Sequence, residues 1–318
     1  MAIICYTHAD FLLKGLELAG FSEQSIKRNK AATNLFRYVD KYYATPQVSA
    51  TIFRDIQMDD IGENKIENAR PEYLLLAFYY LKKYPTKYEM AGYLDVCEET
   101  ALRQSRRYVR AIQALRSKKV KWIFDNPELK EKYILSVDGV HCRIFEPRIE
   151  PSTKWYSKKF NKAGLTYELG IAIFHDQLVW INGPFPAGEN DMLVFRKDGG
   201  LMSIIPKGKL VVADEGYRGE PNVCSTRNTF DDDDVKRFKK RVKARHESFN
   251  CRVKSFGILN QPFRSTGDQR LVKHETAFVA CCIIVQYEMD NGRPLFIKVH
   301  HRTTKNGHQQ AHSTWHYS

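Results

Sequence analysis

The sequence predicts an α/β fold in which an all-helical front region precedes a mixed core of strands and long helices. Two observations carry this. Up to about residue 125 the apolar residues recur at helical spacing, whereas from residue 132 short β-rich runs alternate with long helical stretches.

Residues 1–65 form a helical segment to which no role is assigned. Phe11, Leu12, Leu13 and Leu16 make one apolar face, Gly20 a turn, and Leu35, Phe36 and Val39 a second face. Asp59 and Asp60 open a polar connection. Pro71 starts the next helix, since a first helical residue needs no N–H partner, and Leu74, Leu75, Phe78 and Leu81 face inward. Thr86 followed by Glu89 spells a capping box for a short second helix. Asp95-Val96-Cys97 turns the chain, and Glu98 to Leu115 forms a third helix. Helix, short helix, turn and longer Arg-rich helix is a helix-turn-helix pattern over residues 66–125. Its Arg103, Arg106, Arg107 and Arg110 are placed to reach phosphates or base edges in DNA. A small bundle with a merely solvated charged face carries the same spacing.

In the second half, Tyr133–Val137 reads as a buried strand ended by Asp138. Leu165–Phe174 and Leu178–Asn182 flank a hairpin turn at His175-Asp176-Gln177, and residues 183–188 read as an irregular loop. Asp191–Arg196 opens a helix, and Leu210–Ala213 returns to strand before Asp214. Val235–Phe256 is helical, because Phe238, Val242, Phe249 and Val253 recur at helical spacing. A last helix, from Val272 or His274 to about Glu288, is expected against the sheet, and residues 301–318 as a disordered polar tail.

No apolar run approaches the length of a membrane span, and the N-terminus lacks a secretory leader, so an intracellular protein with no membrane partner is expected. Seven cysteines without a Cys-x-x-Cys pair argue for free thiols rather than a disulfide scaffold or zinc finger. The net charge of +13 is concentrated. Residues 103–121 hold eight Lys and Arg with no acid, and residues 236–254 hold nine bases against the single acid Glu247. Such segments suit a polyanion.

Against that background stand Asp138 and Asp214 at two strand ends and Glu247 on the basic helix. Two-metal phosphoryl transfer requires carboxylates around divalent ions roughly 3.5–4 Å apart, and magnesium takes hard oxygen ligands. Gly139 and Gly216 would let the chain turn closely past metal or substrate. Singly, each acid is as well explained by a turn or an intrahelical pair. Together they predict a Mg²⁺-dependent enzyme acting on DNA. Asp191, at a helix start, is a rival ligand better suited to N-capping or to a structural role behind the triad. The run Asp231–Asp234 reads as a solvated loop or a helix N-terminal charge cluster.

Several stretches resemble eukaryotic transposases of the Harbinger (PIF) type, a DDE superfamily related to IS5-like enzymes. They are Ser136-Val-Asp-Gly-Val-His, Gly188-Glu-Asn-Asp191-Met-Leu-Val-Phe-Arg196, Val212-Ala-Asp-Glu-Gly-Tyr-Arg-Gly219 and Arg245-His-Glu247-Ser-Phe-Asn-Cys-Arg-Val-Lys-Ser-Phe-Gly257. The resemblance implies an RNase-H-like mixed-sheet DDE endonuclease domain over residues 130–300 and two Mg²⁺ or Mn²⁺ ions on Asp138, Asp214 and Glu247. It implies cleavage and strand transfer at terminal inverted repeats, with target DNA as second substrate and a nuclear location. A Myb-like accessory protein and a homodimer are its candidate protein partners. Tyr217 and Arg218 are expected to shape the site, and Lys158, Lys159, Lys240, Lys243, Arg245, Arg252 and Lys254 to contact DNA. A domesticated nuclease without transposition, and a non-catalytic DNA-binding protein, are the alternatives.

Overall fold

The computed structural model describes residues 5–126, 130–147, 152–158, 160–220, 223–225, 231–265, 267, 269–295, 299–303 and 309–313. The front is helical throughout: α1 (His8–Leu18), α2 (Glu23–Arg28), α3 (Ala31–Tyr42), α4 (Pro46–Asp55), α5 (Pro71–Lys83), α6 (Lys87–Leu94), α7 (Glu98–Ala114) and α8 (Arg116–Lys119). The core follows with β1 (Tyr133–Arg143), α9 (Ser152–Trp155), β2 (Tyr156–Ser157), β3 (Lys162–Ala172) and β4 (Leu178–Pro186). Next come α10 (Asp191–Arg196), α11 (Leu201–Ile204), β5 (Leu210–Val212), β6 (Cys224–Ser225) and α12 (Asp233–Lys254). The chain continues through α13 (Gly257–Asn260), α14 (Arg270–Asp290), β7 (Val299–Thr303) and β8 (Gln309–Ser313). Among the described residues no helix is long and apolar enough to cross a membrane.

Local chemistry sets the helical boundaries. Thr86 and Glu89 form the expected reciprocal capping box, with the Thr86 N–H donating to Glu89 Oε2 at 2.6 Å. Tyr84 and Asp95 end α5 and α6 in the left-handed conformation, so the turn before α7 is built as the helix-turn-helix spacing predicts. The inward face of α7 is Ala101, Ser105, Tyr108, Val109 and Ile112.

Two units result, one of Met1–Lys119 with Val253–Arg293, the other of Val120–Arg252 with Pro294–Ser318. The sequence divisions at 65, 125 and 300 follow element type, whereas these units follow packing. The difference is α14. Expected against the sheet, it packs on α4, α7 and α8 within the helical unit. Every residue from Ala277 to Met289 is buried, so the helix needs partners on all sides rather than one sheet face. Tyr287 Oη donates to Asp55 Oδ2 at 2.6 Å, and the Thr45 N–H donates to Glu288 Oε1 at 2.6 Å.

The second unit is built on a mixed sheet of order β2-β3-β1-β5-β6, with β4 also on β3. β1, β3 and β4 form an antiparallel meander, while β5 and β6 run parallel to β1. One face packs Leu135, Val137 and Val211 against Met192 and Phe195 of α10 and Leu201 of α11. The other packs Tyr133 and Val212 against Phe238 and Val242 of α12. A mixed sheet covered by helices on both faces, after an all-helical front, is an RNase-H-like architecture. In the stretch read as a polar tail, β7 and β8 pair as a separate antiparallel ribbon.

Two strand ends move outward from their expected positions. β1 does not stop at Val137 but continues to Arg143, because β3 pairs with it from Leu135 to Arg143. Asp138 and Gly139 are therefore strand residues, not a turn. β4 likewise continues through Gly183 and Pro184, which are joined by a cis peptide bond, to Pro186.

Candidate active site

Strand register brings the first two acids together. Ser136 of β1 pairs with Val212 of β5 in parallel, so Asp138 and Asp214 lie two residues beyond equivalent positions on neighbouring strands. Side chains alternate along a strand, and parallel neighbours lie roughly 5 Å apart, so both carboxylates emerge on the face that carries α12. Asp214 follows β5 after Ala213 and begins the short turn Glu215–Tyr217.

Helix α12 supplies the third acid. Its first turn carries Asp233 and Asp234, the expected N-terminal charge cluster, and Asp231 pairs with Lys239 at 2.7 Å. Glu247 lies on the exposed side with Lys240, Lys243 and Cys251, and Cys251 Sγ lies 3.8 Å from Glu247 Oε1. A cleft of about 280 Å³ is lined by Asp138, Asp214, Lys243, His246 and Glu247 together with Ser136. The three acids named from the sequence thus share one cavity.

A polar seam fixes α12 on the sheet. Arg245 is buried, and its guanidinium donates to Ala172 O at 2.8 Å, His175 O at 2.7 Å and Asp176 Oδ1 at 2.7 Å. It clamps the β3–β4 turn and is not available to DNA, contrary to the sequence expectation. His246 Nδ1 lies 2.8 Å from Ser136 Oγ. Burial, with Arg245 beside it, pushes this imidazole down to about 3, so it is neutral. Asn250 Nδ2 donates to Asp138 Oδ2 at 2.9 Å, and the Gly139 N–H donates to Oδ1 at 2.9 Å. Both oxygens of the first acid are held.

Behind the cleft lies a second group of acids. Asn190, not Asp191, caps α10, its Oδ1 accepting from the Met192 N–H at 2.8 Å. Asp191 is thereby released from the capping role expected of it. Glu168, opposite Gly139 in the β1–β3 register, is buried and accepts from Trp180 Nε1 at 2.9 Å. Burial above all, with Asp191 nearby, raises its carboxyl to about 7. Tyr217 is buried edge-on to Phe195 at 5.7 Å, a supporting position outside the cleft lining.

Sequence reasoning missed Asn250, His246, Ser136 and Glu168. For the helical pair a signal existed: His246 and Asn250 fall on the apolar stripe of Val242, Phe249 and Val253, where a polar residue must find a buried partner. Of the expected DNA contacts, Arg103, Arg107, Arg110, Lys158, Arg218, Lys240 and Lys243 are exposed, while Arg106 and Lys254 are half-buried. Arg252 is half-buried and donates to Pro294 O at 2.8 Å. Arg103, Arg106 and Arg110 line an open groove of about 300 Å³ on α7. Lys159 lies outside the described residues. Trp155, which precedes Lys158 and Lys159 and lies on α9, is buried.

The donors suit a divalent cation in kind, being three carboxylates on one cleft. Their present arrangement is looser than a ligand shell. Among the described residues no group of three or more Asp, Glu, His or Cys side chains converges on a metal position. Lys243 Nζ instead pairs with Asp214 Oδ1 at 2.5 Å.

A mixed RNase-H-like sheet thus carries Asp138 within β1 and Asp214 just beyond the adjacent parallel strand β5. Residues 137–286 match the family described as DDE superfamily endonuclease. No curated protein and no solved structure matches the chain.

Proposed function

We propose that this chain is a metal-dependent DNA endonuclease and transposase of the Harbinger/PIF type, cleaving and joining phosphodiester bonds with Asp138, Asp214 and Glu247. The observation that supports this most is the common cleft of the three acids, reached along the exposed Lys240 and Lys243 of α12. Two Mg²⁺ or Mn²⁺ ions, if held by these acids, would supply Lewis acidity to the phosphodiester and neutralise its developing charge. The chain's own residues do the rest. Asn250 and the Gly139 N–H orient Asp138, the His246–Ser136 contact sets α12 on β1, and Lys240 and Lys243 attract phosphate. Arg103, Arg106, Arg107 and Arg110 on α7 would bind DNA phosphates. Terminal inverted repeats and target DNA are the proposed substrates, the nucleus the proposed location. A Myb-like accessory protein and a homodimer rest on the family resemblance alone.

A second reading, a DNA-binding protein without catalysis, is favoured by one observation, the ion pair that Lys243 makes with Asp214. Incubating supercoiled plasmid with native protein and Asp214→Asn in Mg²⁺ or Mn²⁺ separates the two. Metal-dependent nicking that the substitution abolishes supports the nuclease. Equal DNA affinity of both proteins with no nicking supports the binding protein. Nicking without joining of terminal-repeat ends would mark a domesticated nuclease.

A further inference from the structure

The Asp191 carboxylate lies between two glycines. A methyl group built on Gly139 would stand 3.3 Å from Asp191 Oδ1, and one built on Gly216 would stand 2.8 Å from Oδ2. Gly139 follows Asp138 directly and Gly216 follows Asp214 by two residues. Neither glycine has a positive φ, so backbone conformation does not demand glycine at either place. Space does. Each oxygen of Asp191 fills the volume that a side chain on one acid-bearing segment would take.

The carboxylate is also bounded from other directions. Gly139 alternates with Asp138 along β1, so Asp191 meets the strand from the face opposite the cleft. Glu168, the register partner of Gly139 and 2% exposed, closes the strand side. Buried Met192 and Phe195 fix α10 against the sheet and Tyr217, so the helix that carries Asp191 is anchored.

We infer that Asp191 is a positioning residue, a carboxylate spacer that sets the separation of the Asp138–Gly139 and Asp214–Gly216 segments and thereby of the two acids. This rests on reading Asp138 and Asp214 as the acids of a nuclease. Asp191 works through them and does not touch the substrate.

A double-substitution cycle tests it. Gly216→Ala pushes a methyl against Asp191 Oδ2, and Asp191→Ala empties the same space. Each alone should lower the turnover of Mn²⁺-supported plasmid nicking by up to about 100-fold, the scale of a misplacement near 1 Å, with DNA affinity unchanged. In the double variant the added methyl enters the vacated space, so turnover should exceed that of either single variant. Asp191→Asn, which keeps the shape, should retain most of the native turnover. Losses that simply multiply in the double variant would overturn the spacer. So would an Asp191→Asn loss equal to that of Asp191→Ala, because charge rather than shape would then be what matters. If the native protein does not nick DNA, the reading of the site fails, and the same cycle read in melting midpoints still decides the spacer. Compensation in the double variant keeps it, and additive losses remove it.

Discussion

At the scale of single residues, the candidate chemistry depends on polar side chains that no catalytic motif names. Asn250 holds Oδ2 of Asp138. A hydrogen bond to a charged group contributes about 1.5–3 kcal/mol, so Asn250→Leu is expected to lower nicking turnover by roughly 10- to 100-fold. DNA affinity, measured by a gel-shift titration, should stay unchanged. Glu168 gives a pH signature. Its carboxyl is raised from 4.5 to about 7 in the fold, so the folded state favours the protonated form. Stability is therefore full below the unfolded value and falls as pH rises from about 4.5 to about 7. His246 acts at the other end. Its folded value of about 3 lies below the ordinary 6.5, so stability is full above 6.5 and falls as pH drops toward 3. Urea midpoints of the native chain should decline between about pH 4.5 and 7, and those of Glu168→Gln should lose that decline.

Elements divide the basic residues into two kinds that composition treats alike. On α12, Arg245 faces inward and clamps the β3–β4 turn, while Lys240 faces solvent. Removing one member of a buried ion pair costs roughly 3–5 kcal/mol. Arg245→Met should therefore lower the melting midpoint strongly. Lys240→Ala should leave the melting midpoint in place, weaken DNA binding, and reduce the slope of log affinity against log salt by about 1. Helical periodicity places both residues in the same helix. Because Arg245 is long and basic, the sequence favours an outward position, and only the turn carbonyls it meets reveal the inward one.

Across the whole molecule, the helical unit is assembled from two distant segments of the chain, because Val253–Arg293 groups with Met1–Lys119. The segment that matches the endonuclease family therefore ends inside a helix whose partners lie far upstream. A chain beginning at Val120 would leave the apolar length of α14 without α4, α7 and α8. Such a truncation is expected to aggregate or bind a hydrophobic dye strongly, whereas the full chain melts without doing so. A soluble, cooperatively melting product would contradict this packing.

The sequence by itself determined the α/β class, the helix-turn-helix order and the capping box at Thr86 and Glu89, and it singled out three acids that prove to line one cleft. Each is written in local spacing or in residue chemistry that does not depend on distant neighbours. Only the tertiary structure decided that Asp138 sits within a strand, that Asn190 rather than Asp191 caps α10, and that α14 joins the front helices. Strand ends depend on how far a partner pairs, and a helix buried on all sides carries no mark of which neighbours enclose it. The gap that Asp191 fills is likewise invisible in sequence, because Gly139, Gly216 and the carboxylate meet only when three separate segments pack.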